Sequence, residues 1–235
     1  MIYELAHVIK ERLSFLWNGI EYCSSIVFAM RYRTKLVDID NIVNDGVLYP
    51  YLMRTLVESD LPRLADFFRR QPVDAFRFFS PHKFDVESLG KIVRNQSFLA
   101  FVLLENSGND NEIVGYAFMR SFANGSSYRG YMVDAGHRGK GLAKTMGYGL
   151  NRVGDALGLK MYKSISPCNL ASMRVTKAVC DIEILKTLEN GDYLIRCMSK
   201  ETERNNENVI GGGKYRLVQV VTLAAMPQRE FGYAA

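Results

Sequence analysis

Residues 133–146 read VDAGHRGKGLAKTM, and no other stretch restricts the fold of this chain as tightly. An apolar run ends at Val133. Gly136, Gly139 and Gly141 follow, with His137, Arg138, Lys140 and Lys144 among them. Leu142, Met146, Leu150, Val153 and Leu157 then recur at spacings of four or three until Gly158. The pattern predicts a strand, a glycine-rich turn and an amphipathic helix closed by glycine. The first amides of a helix have no internal acceptor and sit at the positive end of its dipole. Gly139, Gly141 and the small Ala143 let an anion approach those amides, and the three cations add formal charge. The stretch therefore predicts a backbone cradle for a pyrophosphate. It is not a Walker loop: Gly136 and Gly141 have that spacing, but Leu142 stands where the lysine belongs. Nor is it a dinucleotide fingerprint, because a Gly-x-Gly-x-x-Gly begun at Gly139 fails at Lys144.

The rest of the chain supplies elements around this turn. Residues 1–46 read mostly as helix, with Leu5, Ile9, Leu13, Trp17, Ile20 and Ser24 at helical spacing and a break at NDG, 44–46. Strands are predicted at 48–57, 97–105, 112–122, 126–134 and 160–166, and a hairpin at 182–198 turning on ENGD. A helix follows Asp60, read as its cap, with Pro62 in the first turn and a stripe of Leu61, Leu64, Phe67 and Phe68. Asp85 caps another through about Asn95, and Asn169 caps a third through Val179. This order implies a mixed parallel and antiparallel sheet covered by helices. The domain is placed at 47–198, after a helical N-terminal extension (1–46). Residues 199–235 read as a linker (KETERNNEN and GGG) followed by one strand at 215–224.

Composition narrows the partners. The net charge is +5 and the pI about 9.0, but no long Lys/Arg block is interleaved with aromatics, so nucleic acid is not an expected partner. Cys23, Cys168, Cys180 and Cys197 form no Cys-x-x-Cys pair, which argues against zinc and disulfide frameworks and for a reducing, cytoplasmic setting. Residues 14–30 are too short, with Glu21 near their middle, for a bilayer span of about 20 residues. Flanking cations suit a peripheral membrane contact instead. A homodimer is the other association the reading admits.

The sequence resembles the GNAT superfamily of acyl-CoA N-acyltransferases. Arg138, Gly141 and Ala143 fill its Arg/Gln-x-x-Gly-x-Gly/Ala motif after a strand, and Asn169 and Ser172 match its second element at the next helix start. The order of elements from about Leu48 to Met198 matches as well. The resemblance implies an α/β (α+β) fold with a splayed central sheet, and acyl-CoA entering between the YRGYMV and KMYKSIS strands. It implies that backbone amides of Arg138, Gly139, Lys140, Gly141, Leu142 and Ala143 bind the pyrophosphate. Asn169 and Ser172 would contact the pantetheine arm or phosphate, and the amide near Val133 would polarise the thioester carbonyl. An acetyl or other short acyl group would then pass to a primary amine by direct attack, without a metal. An amino sugar is one acceptor class. The tyrosine that members of the superfamily often place seven residues after the asparagine is Thr176 here, and the strand offers no carboxylate base. Tyr131 on the strand and His82 in the loop FFSPHKF are the candidate catalytic side chains. The aromatics Phe76, Phe78, Phe79 and Phe84 read as core or as a pocket wall. The alternative function is a CoA-binding module without catalysis, which release of free thiol over a panel of amines discriminates.

Overall fold

The computed structural model describes residues 14–106 and 111–200. Leu5, Ile9, Leu13, the 200–213 linker beyond Lys200 and the strand expected at 215–224 lie outside the described residues, as do the side chains of Trp17, Ile20 and Glu21. Seven strands form one sheet in the order β1-β2-β3-β4-β5-β7-β6. They are β1 (Tyr51–Thr55), β2 (Phe98–Asn106), β3 (Asn111–Ser121), β4 (Ser126–Val133), β5 (Lys160–Ile165), β6 (Cys180–Thr187) and β7 (Tyr193–Ser199). All neighbouring pairs are antiparallel except β4 and β5, which are parallel and joined through a helical crossover. The helices are α1 (Ser14–Leu36), α2 (Ile39–Asn44), α3 (Leu61–Arg69), α4 (Val86–Arg94), α5 (Leu142–Leu157) and α6 (Leu170–Val179). The sheet is therefore mixed and flanked by helices, as the element order predicts.

The run FLAFVLL in β2 explains why there are two layers of helix. Successive side chains of a strand point to opposite faces. Leu99, Phe101 and Leu103 enter a core shared with α1, α2 and α5, whereas Ala100, Val102 and Leu104 enter a second core under α3 and α4. A strand buried on both faces has no reason to alternate with polar residues.

The N-terminal helices belong to the first core. Phe28 and Tyr32 of α1 and Ile39 and Val43 of α2 are buried in it. The face that packs is Ser25, Phe28, Tyr32 and Leu36, while Ser24 is only half-buried. The predicted break falls where expected: α2 ends at Asn44 and Gly46 has φ +70°. Helix α2 also covers the open edge of the sheet. The Asn44 side chain accepts from the Met53 amide at 2.9 Å, and Asp40 accepts from the Thr55 amide at 2.7 Å. Two side chains thus stand in for a missing neighbour strand and blunt an edge that would otherwise template aggregation.

Asp60 departs from its expected role. Its side chain does not cap α3; it is fully buried and accepts from Arg54 at 2.6 and 2.9 Å, Arg63 at 2.7 Å and the Val57 amide at 3.1 Å. Burial opposes its ionisation, but the guanidinium groups and the amide outweigh that and hold it below the usual carboxylate range. The sequence pattern of a capping aspartate is the same whether its oxygens meet helix amides or arginines, and here the arginines are in reach. Asp85 and Asn169 do cap, accepting from the Ser88 and Ser172 amides at 2.9 and 3.0 Å.

Candidate active site in the split between two strands

Strands β4 and β5 pair through only three positions: Ser126 with Lys160, Ser127 with Met161 and Tyr128 with Tyr162. Beyond them β4 continues to Val133 and β5 to Ile165 without pairing, so the sheet opens into a wedge. The free backbone of β4 can be placed by alternation. The Asp134 amide donates to Val114 C=O on the β3 side at 2.9 Å. Neighbouring amides of a strand point to opposite edges, so those of Val133 and Tyr131 face the wedge. A polar edge inside a folded sheet is costly unless something hydrogen-bonds to it, and an extended arm with amide groups satisfies it.

At the wide end lies the turn that opens helix α5. Gly139 and Gly141 have φ of +82° and +81°, a left-handed conformation that glycine adopts without steric cost. A Cβ at either would meet nothing within 4 Å, so the space in front of this backbone is open. Gly141 caps α5 without a side chain, and Leu142 and Ala143 supply its first amides. Arg138, Lys140 and Lys144 are exposed around it. Lys140 lies 4.0 Å from Glu105. The residues of the predicted cradle, 138–143, follow the free edge at Val133 after the short turn of residues 134–137.

The turn before the cradle is held by its own Asp134 and His137, as their place just past the strand suggests, and by Arg70 and Gln71, which sequence patterns did not single out. Asp134 Oδ1 accepts from the Gly136 amide at 2.9 Å and faces His137 Nδ1 at 3.1 Å. Its Oδ2 accepts from Arg70 Nε at 2.9 Å and Gln71 Nε2 at 2.8 Å. Gln71 Oε1 in turn accepts from the Ala135 amide at 2.9 Å. His137 Nε2 faces Glu105 Oε2 at 3.0 Å, so the ring bridges two carboxylates. Burial opposes ionisation of Asp134, yet Gln71, His137, Arg70 and the Gly136 amide together bring its pKa down to about 2. Arg70 and Gln71 arrive from the C-terminal end of α3, far from the turn in sequence. Only the tertiary fold shows them to be its anchors.

The narrow end of the wedge is polar. Arg129 is buried and donates to Asn151 Oδ1 and to Gly147 C=O of α5, the latter at 3.4 Å, while its Nε has no partner. The Tyr131 hydroxyl is buried without a partner, and the Lys163 ammonium lies 4.1 Å from the centroid of its ring. Cys180 and Cys197 lie close by. The Cys197 thiol donating to it, with Arg129 and Lys163 nearby, pulls the Cys180 thiol below the usual thiol range against the opposing effect of burial. Asn169 and Ser172 meet each other at the start of α6 through the cap hydrogen bond.

His82 stands on the opposite face of the sheet. Its Nδ1 donates to Lys83 C=O at 2.8 Å, and its Nε2 accepts from the Tyr116 hydroxyl at 2.9 Å. Burial lowers its pKa and keeps the ring neutral. Phe68, Phe84, Phe98 and Phe118 surround it edge-on. Of the loop aromatics, Phe76, Phe79 and Phe84 pack on the second core, while Phe78 is exposed under Arg77.

Asp134→Asn is expected to lower stability by about 2 kcal/mol near neutral pH, since the carboxylate's donors lose their charge partner. The folded pKa is depressed, so this stabilisation is full above the unfolded value of about 3.9 and is lost as pH falls through about 2. Denaturant melts from about pH 6 to pH 2 should show the gap between the two proteins closing over that window. A gap independent of pH would contradict the role given to the charge.

Comparison with known proteins adds a family to this geometry. The model of the acetyltransferase (GNAT) domain matches residues 51–179. The GNAT domain of PAT from S. lividans superposes with a TM-score of 0.53 at 14% identity, covering 65% of this chain and 92% of that one. The ribosomal-protein-S5-alanine acetyltransferase of Vibrio fischeri gives 0.51 at 18%, covering 66% and 96%. AAC(6')-Ib, solved in complex with paromomycin and acetyl-CoA, gives 0.50 at 18%, covering 67% and 98%. No protein of curated function matches. The split between β4 and β5, the glycine turn into α5 and a family match over more than half the length agree: the chain belongs to the GNAT acetyltransferase family.

Proposed function

We propose that this enzyme moves an acetyl, or another short acyl, group from acyl-CoA to a primary amine by direct attack on the thioester. The observation that supports this most is the presence of two free backbone surfaces on either side of one anchored turn, residues 134–137. One is the open glycine positions of the α5 mouth, and the other is the edge of β4 not paired with β5 at Val133 and Tyr131. The amides of residues 138–143 take the pyrophosphate, with Arg138, Lys140 and Lys144 supplying charge. The arm lies along β4 within the wedge, near the start of α6 with Asn169 and Ser172. The Val133 amide faces the wedge, where it polarises the thioester carbonyl and holds the oxyanion formed on attack. The unpartnered Tyr131 hydroxyl faces the same chemistry. The wedge also opens one face of the sheet to the other, so an acceptor can approach from the side of α3, α4 and His82.

An amino sugar fits as the acceptor class. The AAC(6')-Ib structure, which holds paromomycin together with acetyl-CoA, is compatible with such a use of this fold. A CoA-binding module without catalysis remains the second reading, favoured by Thr176, whose hydroxyl donates to Ser172 C=O at 2.8 Å in the place of an acid. Release of thiol from acetyl-CoA across amino sugars, polyamines and peptide amines separates the two. Peripheral contact with an anionic membrane through α1 belongs to the same proposal. The helix exposes Tyr22, Ile26, Val27 and Met30 and ends in Arg33 and Lys35, and no described helix is long and apolar enough to cross a bilayer. High salt or carbonate should then release the chain from membranes, and resistance to both would contradict peripheral contact.

Gly141→Val is expected to abolish CoA binding. Valine disfavours φ +81° and places a branched side chain before the cradle. Arg138→Ala should weaken binding by about tenfold, since it removes a charge contact but leaves the amides accessible. Calorimetry with CoA, alongside thermal unfolding, ranks the two. Binding by Gly141→Val as tight as that of the parent would overturn the cradle.

His82→Ala is expected to lower kcat by about 10²-fold with little change in CoA affinity, as for loss of a general base. To act so, Nε2 must exchange the Tyr116 hydroxyl for the amine. Tyr116→Phe should therefore preserve turnover. Unchanged kcat in a folded His82→Ala protein would assign His82 to packing within its phenylalanine cluster.

A further inference from the structure

Lys163 is the first residue of β5 beyond the last position that pairs with β4. A lysine at that place should reach solvent, yet only 7% of this one is exposed. Its ammonium crosses the gap to the ring of Tyr131, 4.1 Å from the centroid, and donates to Thr176 Oγ1 at 3.3 Å. Among the described residues Thr176 is its only hydrogen-bond acceptor, and no carboxylate pairs with it. The titratable and charged groups that face it are Tyr131 and Arg129 on β4 and the thiols of Cys180 and Cys197 on β6 and β7. The Tyr131 hydroxyl and Arg129 Nε beside this cluster are buried and without partners. Cations and orphan donors are thus gathered in one buried place with no carboxylate to meet them, the thiols of Cys180 and Cys197 being the acidic groups beside them. Burial of unpaired charge is costly, and a fold retains it where an anion is to be received.

The position says which anion. Phosphates are served at the other end of the wedge, by the α5 mouth beyond Val133. Lys163 meets β4 at Tyr131, two residues or about 7 Å of strand from the Val133 amide that holds the thioester carbonyl, so what comes near it is the end of the arm that carries the sulfur. Resting on the acyl-transfer reading above, we propose that Lys163 is the proton donor to the departing CoA thiolate. The amine lone pair forms the C–N bond, and the C–S bond breaks with its electrons on sulfur. A Lys163 N–H proton then passes to that sulfur to give the free thiol. The proton shed by the amine nitrogen leaves through His82 to solvent and solvent returns one to Lys163, so amine and thioester yield amide and thiol with no net proton change. Thr176 orients the ammonium, and the Tyr131 ring forms the opposite wall.

The test uses the full chain and two probes, CoA and desulfo-CoA, which differ only at sulfur, so that the protein's own titrations cancel. Calorimetry from about pH 6 to about pH 9 compares the parent with Lys163→Met and Lys163→Arg. A free thiol titrates near 8.5, and a cation at contact lowers such a pKa by about 1–3 units. In the parent, the affinity advantage of CoA over desulfo-CoA should therefore grow about 10-fold or more as pH rises, levelling off above about 8.5. Lys163→Met should lose that growth while binding desulfo-CoA as the parent does, which also reports its folding. Lys163→Arg should keep it. The same growth in Lys163→Met as in the parent, or no growth in the parent, overturns the proposal and leaves the acyl-transfer reading standing. Failure of the parent to bind either probe overturns the acyl-transfer reading itself.

Discussion

Everything in this molecule that bears on chemistry depends on the hydrogen bonds that β4 and β5 do not make. Three positions of pairing hold the two strands together, and past Tyr128 and Tyr162 each goes its own way. A sheet normally closes such a gap, because unsatisfied backbone inside a fold is expensive. Here the gap is kept open by what packs on either side. Helix α5 crosses one face with Leu142, Met146, Leu150, Val153 and Leu157 buried, while α3 and α4 cover the other face of the β2–β4 meander. β5 is held from its other edge by β7, five residues in register. The wedge is thus stabilised from outside, and its inner edges remain available to a ligand with peptide-like groups.

That arrangement also explains the local devices at the two ends. At the wide end the backbone must present amides, so the turn uses left-handed glycines with open space before them, and its shape is fixed from behind by Asp134, Gln71, Arg70 and His137. At the narrow end space is scarce, and the side chains that fill it are Arg129, Tyr131 and Lys163. In the proposed function one end receives an anion through the main chain and the other through side chains. An acyl-CoA, with phosphates at one end and a thioester at the other, matches that division.

Local patterns revealed much of this and missed the rest for identifiable reasons. The 142–157 helix, its closing Gly158 and the glycine turn were legible because periodicity and positive-φ residues act over a few positions. The caps at Asp85 and Asn169 were legible for the same reason. Asp60 was misread because a capping aspartate and an arginine-paired one look alike until the fold brings Arg54 and Arg63 to it. Gln71 and Arg70 behind the turn, and Lys163 across the gap, were invisible, since their partners lie tens of residues away. Lys163 has a surface residue's identity in a strand that otherwise alternates plainly. Nothing in its neighbours says that it is buried. The wedge itself was expected from family resemblance alone, because the end of a hydrogen-bonded ladder leaves no mark in residue types.

The central claim is that acyl-CoA lies in the wedge with its phosphates on the α5 mouth and its thioester against the β4 edge. A crystal structure of the full chain with acetyl-CoA tests it most directly. The account predicts the pyrophosphate within hydrogen-bond distance of the amides in residues 138–143. It predicts the pantetheine arm between β4 and β5, and the thioester carbonyl on the Val133 amide. Acetyl-CoA bound anywhere else on the sheet, with β4 and β5 closed against each other, would contradict it.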